Sequence, residues 1–121
     1  MLLNDFYKIN NIKREGDQVS AAIHINKEHD IFKGHFPGNP VTPGVCIMQI
    51  VKELTEKVTE STLFMEKSSN IKFKAVINPE INPDLYLQLD IKEDHEGIRV
   101  KNTTKFDDTI ALTLTAFYKR V

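Results

Sequence analysis

A single cysteine, Cys46, cannot close a disulfide within the chain, and its place in an apolar stretch marks it as a small buried side chain rather than a nucleophile. Neither sign of charge is in excess. The net charge of −1 gives no electrostatic reason to expect nucleic acid as a partner. No apolar run approaches the roughly 20 residues that a membrane-spanning helix needs. The N-terminus lacks the basic-then-apolar order of a signal peptide, so no membrane association and a cytoplasmic location are expected. The four histidines, His24, His29, His35 and His95, are scattered without ligand spacing; neither a metal nor another cofactor is expected. Proline is scarce too, with five in 121 residues, and its distribution is uneven. Pro37, Pro40 and Pro43 fall three apart in one short stretch, GHFPGNPVTPGVCIMQ (Gly34–Gln49).

Proline fixes φ and pushes the residue before it toward extended backbone, so this stretch predicts a stiff, non-helical loop. The loop holds His35 at a set distance from a helix. Thr42 is placed as N-cap of that helix and Pro43 as its first residue. Gly44 and Val45 then offer backbone N–H groups at the positive end of the helix, suited to a carbonyl oxygen on which negative charge develops. An imidazole set opposite them can take a proton from the carbon next to that carbonyl, the chemistry of a thioester α-carbon.

The rest of the chain predicts a wrapper for the helix. Val45–Val51 is apolar apart from Gln49, as in a helix segment buried on all sides. Leu54 and Val58 continue inward, Lys52/Glu56 and Glu53/Lys57 can pair on the outer face, and fraying is expected near Thr59–Thr62. Phe6–Ile12 and Val19–Ile25 read as a hairpin about Glu15-Gly16-Asp17. Further alternation runs through Ile71–Ile77, Leu85–Ile91 and Ile98–Lys101. In the last strand Ile110, Leu112, Leu114 and Ala116 line one face. His95-Glu96-Gly97 and Asp107-Asp108 are turns, and Pro79 and Pro83 bracket a loop. The pattern gives an α+β fold: an antiparallel sheet with one dry face, packed on one central helix. At this length it forms one domain, residues 1–121.

HFPGNPVTPGV (His35–Val45) resembles the signature of the 3-hydroxyacyl-acyl-carrier-protein dehydratases of the hotdog fold. A weaker similarity runs through KFKAVINPEINPD (Lys72–Asp84) and the strand-rich C-terminal half. The resemblance implies the hotdog fold, His35 as catalytic base and the N–H near Gly44 as the thioester-carbonyl contact. It implies an acyl-carrier-protein or coenzyme A thioester as substrate. It also implies a homodimer joined edge to edge, with a mixed dimer or a hexamer as alternatives. In such a dimer the histidine of one subunit faces an acidic helix residue of the other.

Here that acidic position is Gln49. An amide can hydrogen-bond a hydroxyl but gives up no proton at useful pH. Acid catalysis contributes about 10²–10⁴-fold, or about 3–5 kcal/mol of barrier lowering. Gln49 is either a site residue or a polar residue on the pocket wall. Glu53, one turn on, is either a displaced carboxylate or a surface charge paired with Lys57. Three functions fit: a dehydratase altered by Gln49, a mixed-dimer subunit whose partner supplies the acid, and a non-catalytic thioester-binding module. Phe32, Phe36, Met48, Ile71 and Phe73 suit either an acyl tunnel or ordinary core. Lys72, Lys74, Arg99, Lys101 and Lys105 suit either a solvated strand face or a docking patch for an acidic carrier protein.

Overall fold

The computed structural model describes residues 5–34 and 40–121. Its frame is a six-stranded sheet in the order β1-β2-β4-β5-β6-β3, antiparallel at every pairing. The strands are β1 (Tyr7–Glu15), β2 (Gln18–Ile25), β3 (Leu63–Phe73), β4 (Asp84–Glu93), β5 (Ile98–Phe106) and β6 (Thr109–Arg120). A four-residue helix, α1 (Ile31–Gly34), precedes the long helix α2 (Gly44–Thr59). The sheet curls about α2, which is the hotdog arrangement.

Period-2 alternation builds the dry face. Val19, Ala21, Ile23 and Ile25 of β2 and Leu85, Leu87, Leu89 and Ile91 of β4 are all at most 2% exposed. They meet Cys46, Ile47, Ile50, Val51 and Leu54 of α2, which form one core with them. Burying each Leu or Ile contributes about 1.5–3 kcal/mol, so this seam dominates the stability of the fold. The β1–β2 turn uses Gly16 at φ +61°, a conformation that costs glycine least. Asp94 shapes the β4–β5 turn by accepting the N–H groups of Glu96 and Gly97. These two bonds hold its carboxyl below the usual range.

Four expectations are corrected. The strand expected over Ile71–Ile77 lies earlier, over Leu63–Phe73, and both Ile71 and Phe73 are exposed. This is an edge strand, with register shifts at Met65/Lys67 and Ser69/Lys72, so it carries no regular alternation. Ile110 points outward rather than joining Leu112, Leu114 and Ala116. Thr104 pairs with Leu112 but Lys105 pairs with Ile110, so Ala111 is an extra residue whose bulge reverses the faces. The first turns of α2 are not buried all round: Val45 is 62% exposed. On the outer face Glu53 does not pair with Lys57, and Glu56 accepts the Leu63 N–H at 2.8 Å instead of pairing with Lys52. The helix ends as expected, at Thr59, with Glu60 in the left-handed conformation.

Candidate active site

The amino end of α2 is set by what lies beneath it. Thr42 is not the N-cap. Its N–H donates to Ile77 O at 2.8 Å, which draws the residue inward until it is 6% exposed. Pro43 takes the cap position in extended geometry (φ −62°, ψ 141°), with no side-chain hydrogen bond to the helix. The Thr42 hydroxyl is buried with no hydrogen-bond partner among the described residues. The first amide to turn back is that of Cys46, to Pro43 O at 3.0 Å. Among the described residues, no acceptor takes the N–H groups of Gly44 and Val45, the two expected to hold a carbonyl oxygen.

Gly44 stands at the wall of an apolar cavity of about 370 Å³, and Val45, the next residue, is exposed. Val41, Gly44 and Ile47 line it from the helix side; Phe73, Ala75 and Ala111 line it from the sheet side. Its size falls in the range of ligand pockets, roughly 300–1,000 Å³. The segment after β3 is held there because Ala111 O accepts both the Lys74 and the Ala75 N–H, at 2.8 and 3.3 Å. The bulge that turns Ile110 outward is thus also an anchor for the cavity wall. The Phe73 ring lies so close over the helix start that a Cβ on Gly44 would run into it. Glycine lets the ring approach there; a larger residue would have to displace it.

Gln49 lies elsewhere on the helix. At about 100° per residue it is about 200° around the axis from Ile47 and so faces away from the apolar cavity. Its Nε2 donates to Glu53 Oε2 at 3.0 Å, while the Tyr7 hydroxyl of β1 donates to Glu53 Oε1 at 2.9 Å. Burial, reinforced by the bond to Glu53 and its charge, pushes the Tyr7 phenol up, so it remains a donor. Of the expected site residues, Gly44 lines the cavity, Val45 beside it is exposed, and Gln49 stands on another face. His35 and Phe36 lie outside the described residues.

The other candidates settle into ordinary roles. Phe32 is core, stacked on Phe6 at 5.5 Å. Cys46 is buried, and burial raises its thiol pKa. His24 sits on the polar face but has a partner, Asp84, at 2.7 Å. His29 Nδ1 accepts the Ile31 N–H at 3.1 Å, at the start of α1. Lys72, Lys74, Arg99, Lys101 and Lys105 are all exposed. Sequence reasoning missed Tyr7 as a partner of Glu53, and no local signal links residues so far apart in the chain. It also missed the inward turn of Thr42. Among the described residues no cluster of His, Cys, Asp or Glu could hold a metal ion, and no helix is long and apolar enough to cross a membrane.

Several known proteins are similar to this chain in sequence or in shape. The 3-hydroxyacyl-acyl-carrier-protein dehydratase FabZ of Lactobacillus helveticus is 29% identical over 103 residues, covering 79% of this chain and 69% of that one. The FabZ of Caldicellulosiruptor saccharolyticus is 31% identical over 72 residues, 54% of this chain and 51% of that one. Among solved structures, the dehydratase heterocomplex ApeI:P from Xenorhabdus doucetiae superposes with a TM-score of 0.76 at 18% identity, covering 93% of this chain and 97% of that one. A hypothetical thioesterase with coenzyme A from Streptococcus pneumoniae TIGR4 gives 0.71 at 11%, covering 99% and 91%. At such identities the structural likeness is one of fold. Residues 11–111, however, match the model of the ApeI-like family, described as ApeI dehydratase, and the chain therefore belongs to the ApeI-like dehydratase family.

Proposed function

We propose that the chain removes water from 3-hydroxyacyl thioesters carried on acyl carrier protein or coenzyme A, in fatty acid or related lipid or polyketide synthesis. The observation that carries this reading is the unpartnered amides at the start of α2, where Gly44 lines an apolar cavity. Oriented N–H groups at a helix start are worth most where charge develops and water is excluded, as on the oxygen of a thioester whose α-proton is leaving. His35 takes that proton. The acyl chain lies along the apolar wall, with the Phe73 ring over the helix start.

Gln49 stands where the resemblance places an acid, and it donates no proton. His35, once protonated, is then the group able to return a proton to the departing hydroxyl. One imidazole in two roles makes a slower dehydratase than a base and an acid together, by up to the 10²–10⁴-fold that acid catalysis typically supplies. The functional unit is a dimer joined along the open edge of β3, where Phe64 and Phe73 are both more than 60% exposed. In such a dimer Gln49, which faces away from its own chain's cavity, meets the site of the partner.

Dehydration of a 3-hydroxyacyl pantetheine thioester by the purified chain tests the reading. The Gln49→Glu variant sharpens the test. A carboxylate at 49 stands one turn from Glu53, and two carboxylates so close share a proton, which raises one apparent pKa into the range of a useful acid. The rate is expected to rise by at least about tenfold. No dehydration by either protein, or no gain from the substitution, counts against it. A mixed dimer is the second reading, in which a related chain supplies the acid. It is favoured by the structural likeness to ApeI:P of Xenorhabdus doucetiae, a dehydratase heterocomplex. Full activity of the isolated chain eliminates it.

A further inference from the structure

The outer face of α2 fixes which atom Gln49 can offer to a ligand. Glu53 accepts two hydrogen bonds on different oxygens, from Tyr7 Oη at 2.9 Å and from Gln49 Nε2 at 3.0 Å. A carboxylate has acceptors and no donor. The Gln49 atom turned toward it must therefore be the amide NH₂, because the opposite flip would set oxygen against oxygen. Among the described residues no lysine or arginine forms an ion pair with Glu53 that would compete for it. Tyr7 holds the carboxylate from the strand side, and the four-residue spacing on one helix face holds Gln49 over it. With Nε2 engaged, Gln49 Oε1 is directed away from Glu53 and is left as an acceptor.

We propose that Glu53 is a positioning residue that locks Gln49 as an acceptor, so that the site selects thioesters bearing a hydroxyl at C3 over those with a bare C3 methylene. This deepens the proposed function and rests on it, because Gln49 must face the bound acyl group. The hydroxyl donates to Gln49 Oε1; a ligand without it leaves that oxygen desolvated and unpaired. Both oxygens of Glu53 are engaged by these two bonds, and the role proposed here is to hold Gln49, not to transfer a proton.

The test measures equilibrium binding of two pantetheine analogues, 3-hydroxyoctanoyl and octanoyl, in which NH replaces the thioester sulfur so that neither eliminates. Wild type is expected to favour the hydroxy analogue by about tenfold. In Glu53→Gln the new amide both donates and accepts, so Gln49 is no longer held in one flip. In Gln49→Leu the acceptor is gone. Both variants are expected to bring the preference to within about twofold of parity, and in Gln49→Leu octanoyl binds at least as tightly as to wild type, because no acceptor is left unpaired beside it. A preference retained in both variants overturns the inference and leaves the proposed function standing. So does an equal loss of both ligands in Glu53→Gln, the mark of a merely structural residue. Loss of turnover in Glu53→Gln with the binding preference intact also overturns it and makes Glu53 the acid. Failure of wild type to bind either analogue overturns the proposed function and the inference with it.

Discussion

The two faces of α2 obey different rules. The inner face, Cys46, Ile47, Ile50, Val51, Leu54 and Thr55, is at most 1% exposed throughout, and even the Thr55 hydroxyl is satisfied within the helix, by Val51 O at 2.8 Å. Its residue types follow from burial alone. The outer face carries an exposed Val45, a half-buried Gln49 and a half-buried Glu53 that draws in Tyr7 from β1. Burial does not explain an amide, a carboxylate and a phenol converging there; the proposed acceptor role of Gln49 accounts for them. One helix thus serves as the stabilising centre on one side and presents the Tyr7–Glu53–Gln49 cluster on the other. Damage to the two sides should be separable.

The largest effect is expected from breaking the inner face. Leu54 is fully buried between the sheet and the helix. Leu54→Ala should cost about 2–5 kcal/mol by lost transfer energy plus the cavity left behind. Chemical denaturation measures this directly. A cost below 1 kcal/mol would mean that the helix is not the centre of the core, and the contrast between the faces would fail.

A smaller effect in stability, but a larger one in function, is expected where the two faces meet at the helix start. In Gly44→Val the added side chain must displace the Phe73 ring. That ring is 66% exposed and has room to swing out, so the stability cost should sit at the low end of the roughly 1–3 kcal/mol typical of overpacking. Binding of an acyl pantetheine should fall by about tenfold or more, since the new side chain occupies the cavity beside the two free amides. Unchanged binding would move the thioester away from this cavity.

What the sequence revealed follows the same division. The strands that meet the inner face were legible because β2 and β4 have one dry and one wet side, and Leu85, Leu87, Leu89 and Ile91 alternate without a break. β3 was not legible as a strand over its first eight residues, since an edge strand with two register shifts imposes no period. Ile110 was misplaced because a bulge at Ala111 leaves no mark in a hydrophobic pattern. At the site, Gly44 and Val45 followed from local rules of helix starts. Thr42 did not, because its backbone bond to Ile77, a long-range contact, overrides its preference for capping. The Glu53–Tyr7 bond is likewise invisible to any local pattern, whereas Gln49 and Glu53, one helical turn apart, are neighbours on any helix of this sequence.

The smallest effect concerns Cys46, and it probes whether the inner face opens. The thiol is 1% exposed, and burial raises its pKa, so at neutral pH it has less of the reactive thiolate than a free cysteine and almost no access for a reagent. Iodoacetamide should leave the native protein unmodified over a time in which the denatured chain reacts fully. Slow residual labelling can arise in two ways. If it requires the whole core to open, its rate tracks global stability, and Leu54→Ala should accelerate it by the factor by which it raises the unfolding equilibrium constant, about tenfold per 1.4 kcal/mol. If only the first turn of α2 loosens, Leu54→Ala leaves the rate unchanged while Gly44→Val alters it. The second result would mean that the helix start moves independently of the core beneath it, and the boundary between the two faces would then fall within the first turn of α2 rather than along its length.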